Sequence, residues 1–128
     1  MRKAIDAPGA VAIAPYSHAI DAGELVFLSG QTPIDPATGR LVSGSVAEQT
    51  TQCFRNLNSV LSAADLTSDD VVNVQVYLTD MNDFGAMNEV YAQQFARPFP
   101  ARTTIGVAAL PMGARVEIAM VARRPRAL

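Results

Sequence analysis

Ser45-Val46-Ala47-Glu48-Gln49-Thr50-Thr51-Gln52-Cys53-Phe54-Arg55-Asn56-Leu57-Asn58-Ser59-Val60-Leu61-Ser62-Ala63-Ala64, followed after a short gap by Val72-Asn73-Val74-Gln75-Val76-Tyr77-Leu78-Thr79, contains the change of period that decides the fold of this chain. In the first stretch Val46, Thr50, Cys53/Phe54, Leu57, Val60/Leu61 and Ala64 recur at three- and four-residue intervals, which puts them on one face of a helix. Ser45 and Glu48 stand in the S-x-x-E spacing of a capping box, in which each side chain serves the other residue's backbone N–H. In the second stretch Val72, Val74, Val76 and Leu78 alternate with Asn73, Gln75, Tyr77 and Thr79, the two-residue period of a strand covered on one face.

Upstream, Ser17 to Asp21 and Leu25 to Ser29 flank Ala22-Gly23 and read as a β-hairpin, after which Pro33, Pro36 and Gly39 mark a loop. Downstream, Phe84, Met87, Tyr91 and Phe95 return to helical spacing, and Pro98 and Pro100 stop continuation, so a second helix is expected from about Asp83 to Phe95. Arg102 to Ala108 and Arg115 to Ala122 form two strands around Pro111-Met112-Gly113. The order β-β-α-β-α-β-β predicts an α+β fold: one mixed sheet with both helices packed on one face, in a single domain over residues 1–128. Two helices cover one face, whereas Val26, Val107, Ile118 and Met120 supply further apolar strand positions, so oligomerisation is expected to cover the other.

The composition narrows the function classes. At 128 residues with 49% hydrophobic content and mean hydropathy +0.16, the chain has ample material for a core, which excludes global disorder. Ten Lys plus Arg against 12 Asp plus Glu give a net charge of −2, which offers no basic field for nucleic acid or anionic lipid. Nine of the ten cations are Arg, whose planar fork suits carboxylates. Cys53 is the only cysteine, so neither an intrachain disulfide nor a multi-cysteine metal cluster is available, and a reducing, cytoplasmic setting fits. Met1-Arg2-Lys3 has the charge of a signal-peptide start, but Asp6, Pro8 and Gly9 interrupt the next segment before an apolar run can form, so no export signal is read. No stretch reaches the ~18 apolar residues of a membrane span, and no membrane partner is expected.

Familiar catalytic sets are missing. A single histidine excludes two-His metal motifs, no Gly-rich phosphate loop is present, and no metal is expected. Cys53, on the apolar side of its helix, reads as packing rather than as a nucleophile, and His18, without a local acid or nucleophile, as structural. Within Pro100-Ala101-Arg102-Thr103-Thr104, Arg102 is either a carboxylate receptor on a constrained strand start or a solvated charge. Glu117, set between Val116 and Ile118, is either an acid/base or an ordinary outward-facing residue.

Pro15-Tyr16-Ser17-His18-Ala19, Val26-Phe27-Leu28-Ser29-Gly30-Gln31-Thr32-Pro33, Asn88-Glu89-Val90-Tyr91 and Pro100-Ala101-Arg102-Thr103-Thr104, with Leu110-Pro111 and Val116-Glu117-Ile118, together resemble the RidA (YjgF) family over nearly the whole chain. The resemblance implies a chorismate-mutase-like fold and a homotrimer whose sheets face a central barrel, with sites between subunits. It implies cofactor-independent hydrolytic deamination of enamine/imine intermediates, such as 2-aminoacrylate/2-iminopropanoate and 2-iminobutanoate, to 2-keto acids and ammonia. Arg102 matches the arginine that clamps the substrate carboxylate, and Glu117 the acid that activates water or moves a proton. Tyr16, Ser29, Gly30 and Asn88 match positions around the intersubunit cleft. Thr104 stands where many members carry Cys, so no thiol is required there, and its backbone carbonyl remains free to orient water. Gly106 replaces an acidic residue of some members and alters the pocket margin. Relatives described as ribonucleases, translation inhibitors or chaperone-like binders define rival functions, as does a deaminase specialised for another intermediate. The charge of −2 and eight aromatics, most of them at helix-core or strand positions, give RNA little to bind.

Overall fold

The helix that begins at Ser45 lies across a six-stranded sheet in the computed structural model, which describes residues 2–10, 12 and 14–125. The elements in chain order are β1 (Lys3–Ile5), β2 (Ala19–Asp21), β3 (Leu25–Gln31), β4 (Ile34–Asp35), β5 (Arg40–Leu41), α1 (Val46–Ala63), β6 (Val71–Leu78), α2 (Phe84–Ala92), β7 (Ala101–Gly106) and β8 (Val116–Arg123). The strand order is β1-β2-β3-β8-β6-β7, antiparallel throughout except for the parallel pair β6–β7 joined by α2. β4 and β5 form a separate two-stranded hairpin.

Both helices pack on one face of the mixed sheet, as the change of period predicts. Phe54, Leu57, Val60 and Leu61 of α1 and Met87 of α2 are buried together with Val26, Val74, Val76, Leu78, Val116, Ile118 and Met120 of the strands. Each such side chain removed from water contributes roughly 1.5–3 kcal/mol of transfer free energy. Val26, Ile118 and Met120, which sequence reading assigns to an uncovered face, therefore lie beneath the helices, and Val107 sits past the end of β7. The surplus is real but is made by the alternate residues. Phe27 and Ile105 are 47% and 45% exposed, and Leu25 is also exposed, on the face turned away from the helices.

Several boundaries differ from expectation for local reasons. β6 starts at Val71, and a register shift between Val71 and Asn73 leaves Val72 exposed, so the alternation holds only from Val74. α2 covers less than the expected 83–95. Met81–Asp83 is a 3₁₀ turn, and beyond Ala92 the amides of Gln93 and Gln94 bond three residues back. Phe95 still packs edge-on against Phe54, at 5.8 Å between centroids. The expected Pro33–Gly39 loop holds β4 and the turn that leads into β5, and β1 joins the sheet edge.

The Ser45 cap forms by half. Ser45 Oγ accepts from the Glu48 N–H at 3.2 Å, but it also donates to Glu48 Oε1 at 3.4 Å, so that carboxylate does not return to the Ser45 amide. The reciprocal box occurs instead at Thr67 and Asp70, where the Thr67 amide donates to Asp70 Oδ2 at 2.9 Å. With one donor served, Ser45→Ala should cost about 1 kcal/mol. Urea denaturation checks this, and an unchanged midpoint and slope would count against the cap.

Candidate active site

Arg102 sits on β7, the edge strand, opposite Val74 in the parallel ladder and therefore on the helix-covered face. Its Nη1 donates to Asn88 Oδ1 at 2.7 Å. Its guanidinium carbon lies 4.6 Å from the centroid of the Tyr91 ring and 5.6 Å from that of Phe84. Asn88, Tyr91, Ala92, Phe99, Pro100 and Arg102 line a cavity of about 340 Å³. This arrangement offers one cation with free N–H donors inside largely apolar and aromatic walls, a setting that strengthens a charge-assisted bond to an anion. Thr104 follows on the same strand face, its hydroxyl buried without a partner among the described residues, and it does not line this cavity.

Glu117 occupies the opposite face. It pairs with Tyr77 on β6, whereas its neighbours Val116 and Ile118 point into the core. With Tyr16, Ser29, Gly30, Thr32 and Pro111 it lines a second cavity, of about 370 Å³. A Cβ on Gly30 would collide with Glu117 Oε2, so the absence of a side chain there is what admits the carboxylate. The chain makes room at this point through a register shift between Leu28 and Gln31, which places two residues of β3 against one of β8. Ser29 donates its Oγ proton to the Ser17 carbonyl at 2.6 Å, which leaves its lone pairs toward any ligand. Glu117 has no ion-pair partner among the described residues, and burial pushes its carboxyl above the ordinary value. That is the direction an acid/base near neutrality needs.

Two groups of the expected site residues are thus brought together, Arg102 with Asn88 and Glu117 with Tyr16, Ser29 and Gly30, but the two groups lie apart in one chain. Arg115 Nη2 donates to both carboxylate oxygens of Asp83, at 3.1 Å each, and ties the start of α2 to the approach to β8. Gly106 closes β7 beside Met81, whose Cγ would lie 3.2 Å from a Cβ at that position. Cys53 is fully buried, and burial, then the Glu117 charge, push its thiol well above the ordinary value, as befits packing. His18 accepts the Ala7 N–H on Nδ1 at 2.9 Å, a structural bond. Among the described residues no group of three or more His, Cys, Asp or Glu is placed to hold a metal ion.

Sequence reasoning missed Tyr91 and Phe84 as neighbours of Arg102, reading both as core positions of α2. The signal was present: Phe84, Asn88 and Tyr91 are spaced i, i+4, i+7 and share one helical stripe. It also missed Gln49, Gln52 and Asn56, buried polar residues of α1. Asn56 Nδ2 donates to the carbonyls of Thr32 and Ile34, at 3.3 and 2.9 Å, and holds the segment that walls the Glu117 cavity.

Comparison with known proteins identifies the fold and the family. The sequence model of the family described as Endoribonuclease L-PSP matches residues 5–124. The human 2-iminobutanoate/2-iminopropanoate deaminase is 47% identical over 116 residues, spanning 91% of this chain and 83% of that protein. A RutC family protein of Sinorhizobium fredii is 50% identical over 116 residues, spanning 91% and 90%. Among solved structures, RidA from an Antarctic Psychrobacter superposes with a TM-score of 0.92 at 39% identity, covering 96% of this chain and all of that one. Escherichia coli TdcF with bound serine gives 0.91 at 37%, covering 96% and 99%. The fold is that of an L-PSP-type α+β protein, and the chain belongs to the RidA (YjgF) family. Several of its curated relatives are named imine deaminases.

Proposed function

We propose that this protein hydrolyses small 2-imino acids and their enamine tautomers, of the 2-iminopropanoate and 2-iminobutanoate type, to 2-keto acids and ammonia, at sites between the subunits of a homotrimer. The observation that carries the reading is the division of the site: a carboxylate receptor at Arg102 and an acid/base at Glu117 occupy separate cavities on opposite sheet faces. A subunit interface that sets the Arg102 cavity of one copy against the Glu117 cavity of the next completes both. The exposed Phe27 and Ile105 supply apolar surface for that assembly. The names of the deaminase relatives support the same reading.

The chemistry asks for no cofactor, because the imine carbon is already electrophilic. Arg102 holds the carboxylate, and Glu117 accepts a proton from water as its oxygen adds to C2 while the nitrogen takes a proton from solvent. The resulting tetrahedral carbinolamine then loses its C–N bond: ammonia departs with the proton that Glu117 returns, and the hydroxyl gives its own proton back to solvent to leave the keto acid. One water is consumed, one ammonia released and Glu117 regenerated. Orientation of substrate and water supplies much of the acceleration.

Imines generated in situ and followed by coupled ammonia and keto-acid assays test this. Equal release of both products above the uncatalysed rate is expected, and no acceleration would overturn the reading. Sedimentation equilibrium should give three times 13.6 kDa at micromolar concentration, and a monomer would remove the proposed intersubunit site. The rival ribonuclease reading, which the family description suggests, has no net positive charge to support it, at −2.

A further inference from the structure

A guanidinium that receives a carboxylate must present two parallel N–H bonds in a fixed plane, so whatever fixes that plane decides how well the clamp works. At Arg102 one N–H of Nη1 is committed to Asn88, at 2.7 Å. A single hydrogen bond leaves the plane free to rotate about it. The group that opposes this rotation is the ring of Tyr91, whose centroid is 4.6 Å from the guanidinium carbon, nearer than the 5.6 Å of Phe84. Tyr91 is itself held by packing. It is 5% exposed, meets Phe54 edge-on at 5.8 Å and Phe95 at 5.1 Å, and Phe54 and Phe95 meet each other, so three rings lock one another in the core. Its hydroxyl is buried and bonds to no described residue, so the part of Tyr91 in use at the cavity is the ring face.

We infer that Tyr91 is a positioning residue, a rigid aromatic platform that sets the plane of the Arg102 guanidinium so that the edge not bound to Asn88 faces the substrate carboxylate. The inference rests on the reading of Arg102 as the carboxylate clamp and adds what orients it. It assigns to a helix-core tyrosine a role that a residue serving only to fill volume would not have. A clamp that spends only about a tenth of its time in the binding plane binds its ligand about tenfold more weakly, so loss of the platform reads out as a weaker Kd.

The test compares Tyr91→Met with Tyr91→Phe. Methionine keeps bulk and apolar contact with Phe54 and Phe95 but has no ring face, and phenylalanine keeps the face and drops the hydroxyl. Two quantities are read: kcat and KM for 2-iminobutanoate generated in situ, and the calorimetric Kd for 2-oxobutanoate, which carries the same carboxylate and needs no turnover. Tyr91→Met should raise KM and Kd about tenfold with kcat changed less than about threefold, and Tyr91→Phe should restore both to within about twofold. A packing role alone would lower the active fraction, and with it kcat, while leaving Kd of the folded fraction unchanged. Wild-type Kd in folded Tyr91→Met, or a Tyr91→Phe as impaired as Tyr91→Met, would overturn the platform. Should Tyr91→Met not fold, wild-type protein carrying ¹⁵N-arginine decides. Slowly rotating Arg102 Nη groups that respond to 2-oxobutanoate support the platform, and freely averaging ones overturn it. A wild type that binds 2-oxobutanoate without deaminating imines would end the functional reading alone, whereas one that does neither would end both.

Discussion

Arg102→Ala should lower kcat/KM for 2-iminobutanoate by about 10²–10⁴, since two charge-assisted hydrogen bonds to a carboxylate contribute roughly 1.5–3 kcal/mol each. A small imino acid offers few other handles, so the loss removes affinity and orientation together. The fold should survive, because Arg102 is only partly buried and lies on the edge strand, where its side chain joins no ion pair among the described residues. Arg102→Lys should recover little: an ammonium keeps the charge but loses the planar fork, and it would bond to Asn88 or to the substrate as a point donor. The coupled assay measures the loss, and sedimentation shows whether assembly is intact. Wild-type-like deamination by folded Arg102→Ala would overturn the site assignment.

Glu117→Gln should act differently, lowering kcat by about 10²–10⁴ with a smaller change in KM, because the amide keeps the shape and some hydrogen bonding but takes no proton. The pH dependence is set by the direction in which burial moves this carboxyl, upward. A base must be ionised, so activity should fall as pH drops through a value above the ordinary glutamate range, and that limb should vanish in Glu117→Gln. Stability runs the other way. A carboxyl whose value is raised on folding favours the folded state below its unfolded value and loses that contribution as pH rises through the folded one. Glu117→Gln should therefore be more stable than wild type at neutral pH, with the gain disappearing in acid. Thermal unfolding across pH checks this, and equal stability at every pH would contradict a half-buried carboxylate with no ion-pair partner among the described residues. Cys53→Ser provides the contrast: the thiol is shut in the core, so catalysis should persist in the folded fraction. Selective loss of turnover in a stable Cys53→Ser protein would count against the assignment.

The elements most legible in the sequence were those whose pattern is local. α1 could be read because Val46, Thr50, Cys53, Phe54, Leu57, Val60 and Leu61 form a regular stripe that is buried, and its cap is a side chain three residues from its donor. β6 could be read because Val74, Val76 and Leu78 alternate with polar partners that face away from the helices. The shorter pieces were missed for a physical reason. β1, β4 and β5 have two or three residues each, too few to show any period, and they exist because a neighbouring strand offers backbone partners. The inward side chains of β3 and β8 were assigned to the wrong face, because alternation separates two faces without saying which one the helices cover.

For the site, sequence by itself determined identities and motif order: Arg102 and Glu117 stand out as an Arg at a constrained strand start and an acid between apolar residues, and the motifs around them define the family. What only the tertiary structure decided is their relation. The parallel pairing of β7 with β6 turns Arg102 toward α2, while the antiparallel pairing of β8 turns Glu117 to the other face and the bulge at Ser29-Gly30 opens room for its carboxylate. Register and strand direction are long-range properties, fixed by which residues the whole chain buries together, and no local pattern encodes them. The same is true of Tyr91, whose spacing on α2 marks a core residue until the β6–α2–β7 crossover brings its ring against Arg102.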